Sequence, residues 1–352
     1  VLHWSWAGSG GTDAWRIRPV PGGIYTPAPD NLRDDEPGDV DGDITVASFN
    51  VLNYFTTLDT GPSICGPSGT LGCRGANSES ELERQTAKIV AALAEIDADV
   101  VGLIEIENND SASLSALVSA LNSVTDAEYA FIDTGEIGGD AIKVGLIYKM
   151  KVVKPKRDFA ILDSSVDPRF IDTKNRPVLA QTFKLKGAGD ERFTVAVAHL
   201  KSKGSSCNDV SDPDLGDGQG NCNGTRTMAA QALADWLASD PTRSKDPDFL
   251  IIGDLNAYAM EDPVTALEAA GYSDLVEAFE GSSAYSFVFD GRLGYLDHAL
   301  ANASLAGQVT GVTTWHINAD EVNVLDYNDE VRDPGEASFE RESAALPLFD
   351  PD

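Results

Sequence analysis

Five short apolar runs in this chain each end on an isolated polar residue, and that repeated pattern narrows the folds open to it. Ser48-Phe49 precedes Asn50, Val100-Val101-Gly102-Leu103-Ile104 precedes Glu105, and Val195-Ala196-Val197-Ala198 precedes His199. Phe249-Leu250-Ile251-Ile252 leads into Gly253-Asp254-Leu255-Asn256, and Gly294-Tyr295-Leu296 into Asp297. Such runs read as buried strands bounded by turn residues. A desolvated carboxylate at a buried strand end needs a cation or hydrogen bonds to stay there. Five such ends favour one convergent site. Asp254 and Asn256 stand two residues apart, so strand alternation points both to one side. A carboxylate and carboxamide so placed can hold a hard cation and orient a water or phosphate. The plainer alternative is a turn, since Asp and Asn bond their own backbone.

Between these runs lie helical patterns. Residues 80–96 place Leu82, Ile89, Leu93 and Ile96 on one stripe, and residues 225–238 space Met228, Ala232 and Trp236 by four. Strands are expected over 44–52, 99–107, 142–149, 178–185, 192–200, 249–252 and 296–300. This alternation predicts a layered α/β domain, two sheets with helices outside, and 352 residues suffice for its core. Residues 1–43 are rich in Gly, Pro and Asp around Trp4, Trp6 and Trp15. They read as an arm, linker or remnant of an upstream module, with the main domain over 44–352.

Charge restricts the partners. With 57 acids against 26 bases the chain carries −31, which argues against tight, non-specific binding to phosphate backbones but permits brief contact through a cation. No apolar run approaches the ~20 residues of a membrane span. The chain opens at Val1 with no leader pattern, read as a processed or truncated end. Four cysteines allow three pairings. Cys65/Cys73 and Cys207/Cys222 bracket Gly-, Ser- and Asp-rich loops rather than C-x-x-C spacings, so they read as two loop-stapling disulfides formed in an oxidising compartment; four free buried thiols are the alternative. The 207–222 loop holds Asp209, Asp212, Asp214 and Asp217 and reads as a solvated acidic loop, with Ca²⁺ binding as the second reading.

The ordered set Ala47-Ser48-Phe49-Asn50-Val51-Leu52-Asn53-Tyr54, Gly102-Leu103-Ile104-Glu105-Ile106-Glu107-Asn108, Val197-Ala198-His199-Leu200-Lys201-Ser202 and Gly253-Asp254-Leu255-Asn256 resembles the endonuclease/exonuclease/phosphatase (deoxyribonuclease I-like) superfamily. Within it, the chain is similar to the secreted bacterial extracellular nucleases. The resemblance runs from about residue 43 to the end and implies an α/β fold: a four-layered α/β sandwich of two packed mixed β-sheets flanked by helices.

The resemblance also implies roles. Glu105 matches the metal-binding glutamate, with Asn50 beside it to orient the cation or phosphate and Glu107, expected on the same face, as a fallback ligand. The family usually places Gln before that glutamate; here Ile104 stands there. Mg²⁺ or Mn²⁺ is the implied ion. Asp254 matches the residue that activates or orients the attacking water, and Asn256 its phosphate-holding neighbour. His199 matches a histidine that bonds a phosphate oxygen or protonates the leaving oxygen, Arg176 in Asn175-Arg176-Pro177 a phosphate-contacting arginine, and Asp297 a late supporting aspartate. Asp140 is read as the partner that orients His199. His298, next to Asp297, faces the other way by alternation. The family closes on a Ser-Asp-His element, and none follows Asp297 here: either the C-terminus is cut or the last strand and its histidine are lost, and a cut chain is expected to be weakly active or inactive. The expected function is a secreted, divalent-metal-dependent nuclease on DNA, with RNA also open. The alternatives are a phosphodiesterase or phosphatase acting on lipid headgroups or inositol phosphates, and a non-catalytic extracellular binding module.

Overall fold

A computed structural model describes residues 2–6, 13–17, 34, 36–289, 291–319 and 326–328. The chain divides into two compact units, Val1–Arg33 and Asp34–Asp352. In the first, β1 (Leu2–Trp6) and β2 (Asp13–Ile17) pair antiparallel, with Trp4 opposite Trp15.

The second unit opens on a four-stranded sheet. It comprises β3 (Val46–Tyr54), β4 (Val100–Glu107), β5 (Tyr129–Phe131) and β6 (Ile142–Lys149), in the order β3-β4-β6-β5. Helices α1 (Glu79–Ile96) and α2 (Ala112–Val124) intervene in sequence. Ser78 caps α1 by accepting from Glu81 N, while the Glu81 carboxylate accepts from Asn77 N, one residue before the cap. The strands β3 and β4 run parallel, and β4 and β6 antiparallel.

A larger sheet of seven strands follows: β7 (Val153–Pro155), β8 (Ala160–Leu162), β9 (Arg176–Leu185), β10 (Arg192–His199), β11 (Phe249–Asp254), β12 (Tyr272–Asp274) and a later strand at Asp297–Asn302. Helices α3 (Asn223–Ala238), α4 (Asp262–Ala269) and α5 (Leu275–Glu280) cross between them. The hairpin β13 (Phe287–Phe289) and β14 (Arg292–Gly294) leads into that last strand, β15 (Asp297–Asn302), and α6 (Ala303–Ala306) follows. The central strands lie in the order β15-β11-β10-β9, with β10 and β11 parallel.

Strand alternation sorts the core into layers. Val100, Ile104, Val144 and Leu146 of the small sheet meet Val195, Val197, Leu250 and Ile252 of the large one. The opposite faces pack outward, Val101 and Leu103 against Leu93, Leu114 and Leu117, and Ala196, Ala198 and Ile251 against Leu233, Leu237 and Leu267. The order is helices, sheet, sheet, helices, so the layered α/β expectation holds. Gly102 marks the close approach of the two sheets: an added Cβ would sit 2.6 Å from Ile252 Cδ1 and 2.9 Å from Val197 Cγ2.

Both local cysteine pairs are disulfides, Cys65–Cys73 and Cys207–Cys222. In the acidic loop, Asp212 caps α3 by accepting from Gly224 N and Thr225 N, Asp209 pairs with Lys174, and Asp214 accepts from Gly216 N. These carboxylates serve the loop's own backbone and neighbours. One detail of the α3 reading changes: Ala232 and Trp236 are buried, but Met228 is 39% exposed. The buried arc also takes in Ala229, Ala230, Leu233 and Leu237, because α3 packs on both the sheet and α4. No helix among the described residues is long and apolar enough to cross a membrane.

Candidate active site

The site grows from strand register. Arg176 of β9 pairs with His199 of β10, His199 with Asp254 of β11, and Asp254 with Asp297 of β15. Four polar residues, far apart in sequence, thus stand in one row across the large sheet. His199 and Asp254 follow inward apolar residues by strand parity, Val195 and Val197 in one case and Leu250 and Ile252 in the other, and Asp297 precedes Ala299 and Ala301 on the same face. Arg176 shares parity with the helix-facing Val178 and Ala180 and joins the row where the β9–β10 register shifts.

Glu105 arrives by a different route. Leu103 faces the helices and Ile104 the other sheet, so regular alternation would turn Glu105 back toward α1 and α2. Instead Glu105 adopts φ 69°, and the β4–β6 register shifts between Leu103 and Ile106. This bulge re-aims the carboxylate: Glu105 Oε1 lies 4.0 Å from His199 Nε2. Leu52 and Asn53 of β3 also take positive φ, 50° and 52°, which lets Asn53 N donate to Glu105 Oε2 at 3.0 Å. The Asn50 side chain hydrogen-bonds Glu105 as well, and its Oδ1 accepts from Leu52 N at 3.0 Å.

The Gly253-Asp254-Leu255-Asn256 turn is held to β10. Gly253 has φ 128°, and a Cβ there would fall 2.0 Å from Ala198 O, so only glycine fits. Leu200 N donates to Asp254 O at 3.0 Å, and Asn256 Nδ2 donates to Leu200 O at 3.1 Å. Asp254 Oδ1 accepts from Asn256 N at 2.7 Å, which is the turn reading, while Oδ2 stands 3.9 Å from His199 Nε2. One carboxylate serves both purposes. Asp297 Oδ2 accepts from Ser286 Oγ at 2.8 Å.

Burial and like charge dominate the electrostatics. Burial pushes Glu105 up, and Arg176, Asn50 and the Asn53 amide only partly offset it. Asp254 is held well above the carboxylate range, first by burial and then by Asp297 and Glu105. Burial raises Asp297 too, against Ser286 and His298. His199, 2% exposed, is held well below the ordinary imidazole value by burial, with Arg176, Lys201 and Arg74 adding to it. Arg176 Nη1 lies 3.5 Å from His199 Nε2, while His199 Nδ1 is buried without a hydrogen-bond partner among the described residues.

Among the described residues no three His, Cys, Asp or Glu side chains form a ready-made cation cage. The donor set still fits a hard divalent ion. Asp254 feels the like charge of both Asp297 and Glu105, with Arg176 opposing them. Glu105 and the Asn50 carboxamide supply oxygen donors suited to an ion that keeps much of its own water.

The other sequence expectations fall in separate places. Glu107 does not share a face with Glu105, because the bulge breaks the alternation. Its buried carboxylate accepts from Thr56 N, Thr57 N, Ser113 Oγ and Asn109 Nδ2 at 2.8–3.1 Å. Asp140 does not touch His199; it receives Arg176 Nε and Arg74 Nη2, each at 2.9 Å, and reaches the imidazole only through Arg176. His298 lies across β15 from Asp297, its ring nitrogens 3.0 Å from Asp274 Oδ2 and 2.8 Å from Ala257 O. Arg74 and Ser286 escaped the sequence reading. Arg74 carries one cue, its place directly after Cys73, whose disulfide fixes the loop. Residues 329–352, where the Ser-Asp-His expectation falls, lie outside the described residues.

The sequence profile of the Endonuclease/Exonuclease/phosphatase family matches residues 47–318. No curated protein sequence matches the chain. Solved structures that resemble it include an endonuclease/exonuclease/phosphatase family protein from Bacteroides thetaiotaomicron, 17% identical over 74% of this chain and 83% of that one, with TM-score 0.48. Humanized D. rerio TDP2 is 16% identical over 74% and 83%, TM-score 0.47. A B. thetaiotaomicron mannosyl-6-phosphatase is 17% identical over 74% and 86%, TM-score 0.47.

Proposed function

Because this chain belongs to the endonuclease/exonuclease/phosphatase family, whose members are phosphodiesterase and phosphatase hydrolases, we propose that it is a divalent-metal-dependent nuclease acting on DNA. The observation that carries this reading is the in-register row Arg176, His199, Asp254 and Asp297 on one sheet, facing Glu105 from the other. The paired disulfides favour an oxidising, extracellular setting.

In the proposed mechanism Asp254 accepts a proton from the attacking water. Its raised proton affinity makes it a stronger base than an ordinary carboxylate, and Asp297 keeps that affinity high by like charge. Arg176, held by Asp140, donates to a non-bridging phosphate oxygen. His199, kept neutral by burial, adds a hydrogen bond to the same group. Asn256 stays fixed to the Leu200 carbonyl and steadies the turn that carries Asp254. Glu105 and Asn50 would hold Mg²⁺ or Mn²⁺, which supplies charge neutralisation at the phosphate.

The chain's −31 charge favours a second reading, a small phosphate ester in place of a polymer. Rates on plasmid DNA and on p-nitrophenyl phosphate, measured with the same Mn²⁺-loaded protein, separate the two. A nuclease gives the higher kcat/KM on DNA; turnover of the monoester alone refutes the nuclease reading.

A further inference from the structure

Lys201 follows His199 by two residues at the exit of β10. Its amide donates to Asn175 Oδ1 at 3.0 Å and its carbonyl accepts from the buried Arg226, so its backbone is fixed at both groups. Its ammonium has no anionic or carbonyl partner among the described residues. The surrounding cations all do: Arg74 and Arg176 share Asp140, Lys174 holds Asp209, and Lys203 pairs with Glu261. The charges that act on Lys201 are three cations, Arg176, Lys174 and Arg74, against Asp140 alone. Its half-burial and those cations together lower its proton affinity. A partly desolvated ammonium among like charges is unfavourable unless an anion arrives. In a chain of −31, a corner of unbalanced positive charge beside the candidate site is a specific feature.

We propose that Lys201, with the exposed side of Arg74, binds a backbone phosphate next to the one hydrolysed, so that the site takes a chain of phosphodiesters and not a lone phosphate ester. The inference rests on the nuclease reading and narrows its substrate to a polynucleotide. Arg176 is turned to His199 and serves the scissile group, whereas Lys201 lies past it on the strand exit and reaches a neighbouring phosphate. An ammonium suits this task, since it follows a backbone as a point charge without demanding bidentate geometry.

The test is equilibrium binding in EDTA, by fluorescence anisotropy, of a labelled thymidine tetranucleotide and of a labelled dinucleoside monophosphate that carries one phosphate. Wild type, Lys201→Gln and Lys201→Arg are compared across a salt series. Lys201→Gln is expected to weaken the tetranucleotide about tenfold more than the dinucleotide, and to reduce the slope of log K against log salt by roughly 0.7, the value for one single-strand phosphate contact. Lys201→Arg should restore both. Equal weakening of both ligands assigns Lys201 to the scissile phosphate and overturns the subsite, as does an affinity equal to wild type for both. If wild type prefers the single-phosphate ligand, the nuclease reading itself fails; if wild type prefers the longer ligand and only the variant result is negative, the subsite alone fails.

Discussion

The two halves of the site come from different sheets, and Gly102 governs how closely those sheets meet. Gly102→Ala therefore tests the geometry without touching a polar residue. The added Cβ would stand 2.6 Å from Ile252 Cδ1, 0.8 Å inside the 3.4 Å onset of ordinary contact. Overpacking of this kind costs about 1–3 kcal/mol, while replacing glycine in a strand returns roughly 0.5–1 kcal/mol. A net loss of about 1–2 kcal/mol is expected in urea unfolding. Ile252→Val removes the offending Cδ1. Alone it should cost about 0.5–1.5 kcal/mol, but in the Gly102→Ala background it should cost nothing or stabilise, a coupling of at least ~0.5 kcal/mol. Function should follow, because Gly102 lies three residues below Glu105 and Ile252 two below Asp254. If the sheets part, Glu105 draws away from His199, now 4.0 Å distant, and hydrolysis should fall by roughly ten- to a hundredfold. The double variant should recover part of it, since Val197 Cγ2 still stands 2.9 Å from the added Cβ. Additive stabilities, within about 0.5 kcal/mol, or unaltered hydrolysis in the single variant would refute the claim that this contact sets the site.

Three further outcomes are expected. Asp254→Asn should stabilise the protein in EDTA at neutral pH: burial and Asp297 raise the folded-state pKa, so ionising Asp254 costs folding energy as pH rises through and above 3.8, its ordinary value. The gain should appear as a thermal midpoint higher by at least about 2 °C at pH 8 and vanish as pH falls toward 3.8; a gain that grows in acid contradicts the sign. His298→Ala leaves the Asp274 carboxylate, 1% exposed, without its ring partner and should cost about 3–5 kcal/mol in urea unfolding, where a loss under ~1 kcal/mol would show the pair to be dispensable. Cys73→Ser opens an eight-residue loop worth about 2–3 kcal/mol and frees Arg74 from its fixed place beside Asp140; hydrolysis should fall several-fold, and full activity in the reduced protein would show that Arg74 needs no anchor.

Parity explains how much of this arrangement was legible in the sequence. His199 and Asp254 close strands, and Asp297 opens one, whose inward residues are apolar at every second position, so a period-two reading reaches them directly. Helix α2, with Leu114, Leu117, Val118 and Leu121 buried at helical spacing, is not among the helices expected from the sequence. Glu105 is marked by the apolar run that it ends rather than by parity, since alternation alone points it at the helices. The same rule grouped Glu107 with it, and the bulge separated them. A left-handed residue inside an apolar strand carries no sequence mark unless it is glycine or asparagine. The Arg74–Asp140–Arg176 chain joins three loops or strand ends far apart in sequence, and no local pattern encodes a contact of that range. The hairpin that delivers Ser286 to Asp297 is three residues per strand, too short for periodicity to register.

The central claim is that one catalytic site is assembled from both sheets and works through a divalent ion. Nicking of supercoiled plasmid by the wild type, Glu105→Gln and Asp254→Asn, in Mg²⁺ or Mn²⁺ and in EDTA, tests it most directly. Metal-dependent nicking by the wild type, abolished by EDTA, is expected, with a rate lower by about 10²–10⁴ in each variant. Undiminished nicking by either variant, or nicking that survives EDTA, would contradict it.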